Sequence, residues 1–285
     1  MAVALSCAMW ADDPRMTLPF RWNLVTPDRL GSLLDADCRP DLWFAAELVD
    51  CSARVLARSG GGGLHFVGRS LDSMYDLLSG VLAEDPRLMR LPFSRSSEVW
   101  VPCDEWREEA RVILARCGVT PFRLARTSDP VSFVDIVSTG RTFESLYSLL
   151  RDWVEEQREP WDVVRRKIRF IGVVARGKTS PKTRRWQQHA GWTTDLPSGA
   201  VSNVSMDPSL YSYLADRQVK LTASFGPSLR EEVGIRRDSR TRYALAEAVA
   251  LVAHGRRPET LATLIRNLST QKPYPKKWLA TLSRA

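Results

Sequence analysis

The chain has 285 residues, 44% of them apolar and 26% charged, with 16 Gly and 17 Pro. These proportions fit a globular protein with its own core and exclude collagenous, disordered and disulfide-scaffold classes. The net charge of +8 hides an asymmetry: residues 1–159 hold 18 Lys/Arg against 24 Asp/Glu, and residues 160–285 hold 23 against 9, so the halves carry −6 and +14. Charge of that kind in the second half points to an anionic ligand or to nucleic acid.

Residues 1–40 contain several prolines and no sustained period, and read as an irregular N-terminal segment. An α/β core is expected over 41–180. A buried helix over 41–57 is predicted by Trp43, Phe44, Ala46, Leu48, Val49, Val55 and Leu56, and the four glycines from Gly60 to Gly63 end it. Leu64, His65, Phe66 and Val67 form a short apolar strand, followed by the turn Gly68, Arg69, Ser70 and by a helix marked by Leu71, Met74, Leu77, Leu78, Val81 and Leu82. Residues 87–93 suit a second strand. A helical face of Trp106, Ala110, Ile113, Leu114 and Cys117 stops at Gly118. Residues 131–137 are β-branched and continuous enough for a buried parallel strand, a helix carrying Phe143, Leu146, Tyr147, Leu150, Trp153 and Val154 follows, and 168–175 reads as another strand. The predicted class is therefore α/β, a mainly parallel sheet flanked by helices, with a mostly helical, basic C-terminal addition over 181–285. Within that addition 177–206 reads as a long loop, 218–225 as a strand by its alternation, and 240–254 and 259–268 as helices.

Several chemistries have no support. The five cysteines form no C-x-x-C pair, and His65, His189 and His254 are too scattered for a triad or a metal site. No window approaches the ~20 apolar residues of a membrane span, and the first residues lack the charged region of a secretory signal. A cytoplasmic location without membrane contact is the expectation.

The most informative segment is 133–142, where an apolar strand ends on Asp135 and passes through Val137, Ser138, Thr139 and Gly140 into a helix beginning near Arg141 and Thr142. Turn amides, the hydroxyls of Ser138, Thr139 and Thr142, and the helix dipole can hold a phosphate dianion. Gly140 allows close backbone approach, and Asp135 can accept hydrogen bonds from sugar hydroxyls. A plain helix-capping turn is the competing reading.

Here the chain resembles the type I phosphoribosyltransferase family, whose signature is an apolar strand, two acidic residues and a Thr-Gly-x-Thr loop opening a helix. Thr139, Gly140, Arg141 and Thr142 match that loop, and Asp135 matches the second acidic position, while Val134 stands at the first. The resemblance covers roughly residues 60–180. It implies that Ser138, Thr139, Gly140, Arg141 and Thr142 bind a 5-phosphate, that Asp135 holds ribose hydroxyls, and that Gly68, Arg69 and Ser70 hold pyrophosphate, with Asp135 and Arg69 carrying the catalysis. It further implies 5-phosphoribosyl 1-diphosphate (PRPP) as substrate, Mg2+ as cofactor with no ligand directly assigned, a mobile lid over 94–104, and Arg176, Lys178 and Trp192 near the acceptor base.

Two alternatives stay open. One is a non-catalytic regulator that keeps the ribose-phosphate cradle, favoured by Val134. The other concerns the basic stretch 165–185, with Arg165, Arg166, Lys167, Arg169, Arg176, Lys178, Lys182, Arg184 and Arg185 and no acidic residue, which could track nucleic acid or meet a protein partner. Self-association into a homodimer is left open.

Overall fold

The computed structural model describes residues 24, 30, 34, 39–83, 85–94, 104–177, 185–221, 238–272 and 274–284, and the lid predicted over 94–104 therefore lies almost wholly outside them. Five parallel strands form one sheet: β1 (Gly63–Val67), β2 (Leu88–Leu91), β3 (Val131–Ile136), β4 (Ile168–Ala175) and β5 (Val201–Met206), in the order β2-β1-β3-β4-β5. Leu64 lies opposite Leu88 on one side and Ser132 on the other, Asp135 lies opposite Gly172, and Val173 lies opposite Val204. The predicted parallel α/β class is the observed one.

Helices cover both faces, because the central strands are apolar on both. On the first face α1 (Ala45–Ser59), α2 (Asp72–Leu82), α7 (Pro208–Ser212), α8 (Ser239–Gly255), α9 (Pro258–Ser269) and α10 (Lys276–Leu282) pack on Leu64, Phe66, Val134, Ile171, Val173, Val204 and Met206. On the second face α3 (Asp104–Arg116), α4 (Pro121–Arg126), α5 (Arg141–Glu156), α6 (Trp161–Val164) and two 3-10 turns, Trp186–His189 and Gly191–Asp195, cover Val67, Leu91, Phe133, Ile168 and Phe170. Helix α1 stops at Gly60, whose φ of 73° is the left-handed conformation that ends helices.

The sheet and the first-face core both include residues beyond 180. Strand β5, inside the stretch read as a loop, completes the sheet, and residues of α8, α9 and α10 belong to the same buried cluster as α1 and α2. Gly80 and Gly255 bring α2 and α8 so close that a Cβ on either would overlap the other helix's backbone. Residues 218–221, the described part of the strand expected over 218–225, are irregular, and the rest of it lies outside the described residues. Part of the N-terminal segment is also built in, since Leu24 and Leu30 are buried against Leu245, Ala248 and Val252.

Candidate functional site

Strand β1 leads to α2 on the first face, and its neighbour β3 leads to α5 on the second. Adjacent parallel strands whose connections leave in opposite directions open a crevice at their carboxyl ends, the usual ligand position in sheets of this kind. Both loops singled out in the sequence, 68–71 and 137–140, lie at this crevice.

In the first loop Gly68 takes a φ of 70°, and its N–H donates to the Leu91 carbonyl at 2.9 Å. Gly68, Arg69 and Ser70 are half-buried. Helix α2 opens with no side-chain cap, and in its first turn the buried Asp72 pairs with Arg90 of β2 at 3.1 Å.

In the second loop Asp135 is 7% exposed, and its Oδ1 accepts the Ile136 N–H at 2.8 Å. Burial pushes its carboxyl up to about 8, against the opposing effects of that hydrogen bond and of the charge on Lys220. Ser138, Thr139 and Arg141 are exposed, and Thr142 is half-buried. Gly140, with φ of 81°, is the N-cap of α5, which has no side-chain cap. The first-turn amides of this 16-residue helix are thus not met by a capping side chain, as an anion site requires. The missing side chain of Gly140 also has a packing use: a Cβ there would overlap the buried Trp186 ring, so the glycine seats an indole under the loop.

Of the residues assigned to the acceptor base, Trp192 and Arg176 have partners of their own. Trp192 stacks on Tyr147 with centroids 5.0 Å apart and meets Phe170 edge-on, so it packs the second face. Arg176 follows β4 but is drawn to Glu47 of α1 at 2.6 Å. Lys178 lies outside the described residues. The basic stretch is also divided. Arg165, Arg166 and Lys167 precede β4 and Arg176 follows it, so the two groups are separated by an eight-residue strand, about 25 Å of chain. Arg169 turns back to donate to the Arg58 carbonyl at 3.2 Å, Arg165 pairs with Asp162 at 2.7 Å, and Lys182 and Arg184 lie outside the described residues.

Sequence reading missed the residues that the C-terminal half brings to this end. Tyr211 donates to the Val137 carbonyl of the second loop at 3.2 Å. Lys220 is within electrostatic reach of Asp72, Arg69, Glu247 and Asp135, and burial lowers its ammonium to about 8. Glu247, 2% exposed on α8, accepts from Tyr213 and from Gln218, each at 2.6 Å. One signal was available: Glu247 is a lone acid within an alanine-, leucine- and valine-rich helix, a place where a carboxylate must find partners.

Among the described residues no three His, Cys, Asp or Glu side chains come together to hold a metal, and no helix is long and apolar enough to cross a membrane. Comparison with protein-family models, with curated proteins and with solved structures finds no match to this chain.

Proposed function

We propose that the protein binds a 5-phosphorylated ribose at the crevice between β1 and β3 and acts as a phosphoribosyltransferase-type enzyme on PRPP. The observation that carries this reading is the convergence of two uncapped helix N-termini, of α2 and of the 16-residue α5, with the buried Asp135 at one switch point of a parallel sheet.

In this reading the amides of 139–142 and the hydroxyls of Ser138, Thr139 and Thr142 hold the 5-phosphate, Asp135 accepts from the ribose hydroxyls, and Arg69 with the 68–70 amides holds the diphosphate. An acceptor nitrogen donates its lone pair to C1 as the C1–O bond breaks. The diphosphate leaves with the bonding pair, and the nitrogen releases its proton to solvent. Positioning and charge stabilisation then supply the rate. Asp135 would be the residue to hold a Mg2+, and the ion would neutralise charge on the diphosphate.

Calorimetric titration with PRPP and Mg2+ tests the reading. Wild type is expected to bind, and Asp135→Asn and Thr139→Ala to bind at least about tenfold more weakly, as the loss of a charged or polar anchor implies. No binding to wild type would sink the proposal. Pyrophosphate release with a panel of nitrogenous bases then tests transfer. A second reading, binding without transfer, is favoured by Val134: it stands at the first acidic position of the motif and is fully buried in the first-face core. Binding with no release on any base is its expected result.

A further inference from the structure

Beyond α7 the chain returns to the crevice. Tyr213–Arg217 forms a π-helical turn, a distortion that recurs at functional positions, and the Gln218 N–H closes it onto the Tyr213 carbonyl at 2.8 Å. From there Lys220 Nζ donates to the Leu214 carbonyl at 2.7 Å and to Gln218 Oε1 at 2.9 Å. Gln218 Nε2 in turn donates to Ser73 Oγ on α2 and to Glu247 Oε1 on α8, both at 2.6 Å, which fixes the amide between two helices. Lys220 is thereby held in place by the fold.

Its partners are unusual for an ammonium largely withdrawn from water. Both direct acceptors are neutral, and the nearby carboxylates are engaged elsewhere: Asp72 with Arg90, Glu247 with Tyr213 and Gln218, and Asp135 with the Ile136 N–H. A lysine kept for stability would be expected to hold a carboxylate directly, because a buried charge without a counter-ion is costly. Among the described residues the two bonds use two of the three ammonium donors, which leaves the third for a ligand.

We propose that Lys220 is an anion-binding residue of the crevice, holding the diphosphate of the ligand between the β1 loop and Asp135. The inference rests on the ribose-phosphate reading and extends it, since it makes the C-terminal half a supplier of the site. An ammonium at this place meets the charge that grows on a departing diphosphate.

The test is calorimetry on the full chain with inorganic pyrophosphate and, separately, ribose 5-phosphate, using wild type, Lys220→Met and Lys220→Arg at pH 7 and pH 9. Lys220→Met is expected to lose about tenfold or more in pyrophosphate affinity, the size of one charge-assisted hydrogen bond, and to change little toward ribose 5-phosphate. Lys220→Arg should restore pyrophosphate binding and keep it at pH 9, where wild type weakens as the lysine deprotonates. The other charged or titratable groups there, Asp72, Arg69, Glu247, Asp135 and Tyr211, are common to wild type and Lys220→Arg, so the difference between their pH profiles reports Lys220 even where Lys220→Met folds poorly. Equal pyrophosphate affinity and equal pH profiles in wild type and both variants would overturn the inference alone. Failure of wild type to bind either compound would overturn the ribose-phosphate reading with it.

Discussion

The two ends of the sheet are finished in opposite ways. At the amino-terminal end charge and polarity are met in pairs. Trp278 of α10 is fully buried and donates to Ser59 Oγ at 2.7 Å, with the Arg87 guanidinium 4.0 Å from its ring centroid. Arg87 also pairs with Asp85 at 2.5 Å, and Lys277 pairs with Asp129. At the carboxyl-terminal end two helices start without caps, a buried acid is raised to about 8, and a lysine is lowered to about 8. One end has its polar groups paired, while the other keeps ionisable groups shifted by burial. Residues of one C-terminal half complete both, Lys220 at the crevice and Trp278 at the far end.

Substitutions should separate the two ends, and the largest effect is expected at the paired one. Trp278→Ala removes a fully buried indole and leaves Ser59 without its donor; it should lower unfolding free energy in urea by about 4 kcal/mol while a correctly folded fraction binds ligand as before. Asp135→Asn should act in the other direction. The native state holds a proton on Asp135 that the unfolded chain releases, so this group's stabilisation is fully present below about 4 and is lost as pH rises toward about 8. Lys220, depressed to about 8, adds a slope of opposite sign above that pH, as the native state releases its proton before the unfolded chain does. The pair therefore contributes a stability minimum near pH 8. Thermal melts of Asp135→Asn across pH 5–10 should show the acid limb flattened and, near pH 8, a gain on the order of a few kcal/mol, while PRPP binding weakens.

Smaller effects refine the contrast. Gly140→Ala places a Cβ at a φ of 81° and into the Trp186 ring, so a loss of about 2 kcal/mol is expected in urea unfolding, with weaker phosphate binding as the α5 entrance shifts. Lys277→Ala breaks an ion pair whose side chains are 55% and 40% exposed. Its effect should stay below about 1 kcal/mol and vanish in high salt, checked by melts at two ionic strengths.

Legibility in the sequence followed the same physics. β1, β3 and β4 are continuous apolar runs because helices cover both of their faces, and α2 and α5 follow them after short turns, so their order and the two crevice loops could be read locally. β5 could not: as an edge strand it buries only Val204 and Met206 fully, and Ser202, Asn203 and Ser205 give it the composition of a loop. Residues 218–221 misled in the reverse sense, since the alternation of Val219 and Leu221 suggested a strand where the chain instead delivers Lys220. At the site Asp135 and the 137–142 turn were legible because strand, turn and helix are contiguous. Lys220, Gln218 and Glu247 were not, as their partners lie far away in sequence. The partners of Arg176 and Trp192 were hidden for that reason too: Glu47 and Tyr147, which engage them, are invisible to spacing.

The bond between Ser59 and Trp278 joins residues 219 apart in the chain, which has a kinetic consequence. Closing so long a loop carries a large entropic penalty before its contacts are gained, so distant contacts of this kind tend to form after the folding barrier. The sheet with α2 and α5 can assemble first, and α10 docks on it late. Trp278→Ala should therefore hasten unfolding while leaving the folding rate nearly unchanged, a φ-value near zero in stopped-flow chevrons. Helix α10 would then act as a latch on the lifetime of the native state, governing how long the crevice at the opposite end of the sheet survives once formed.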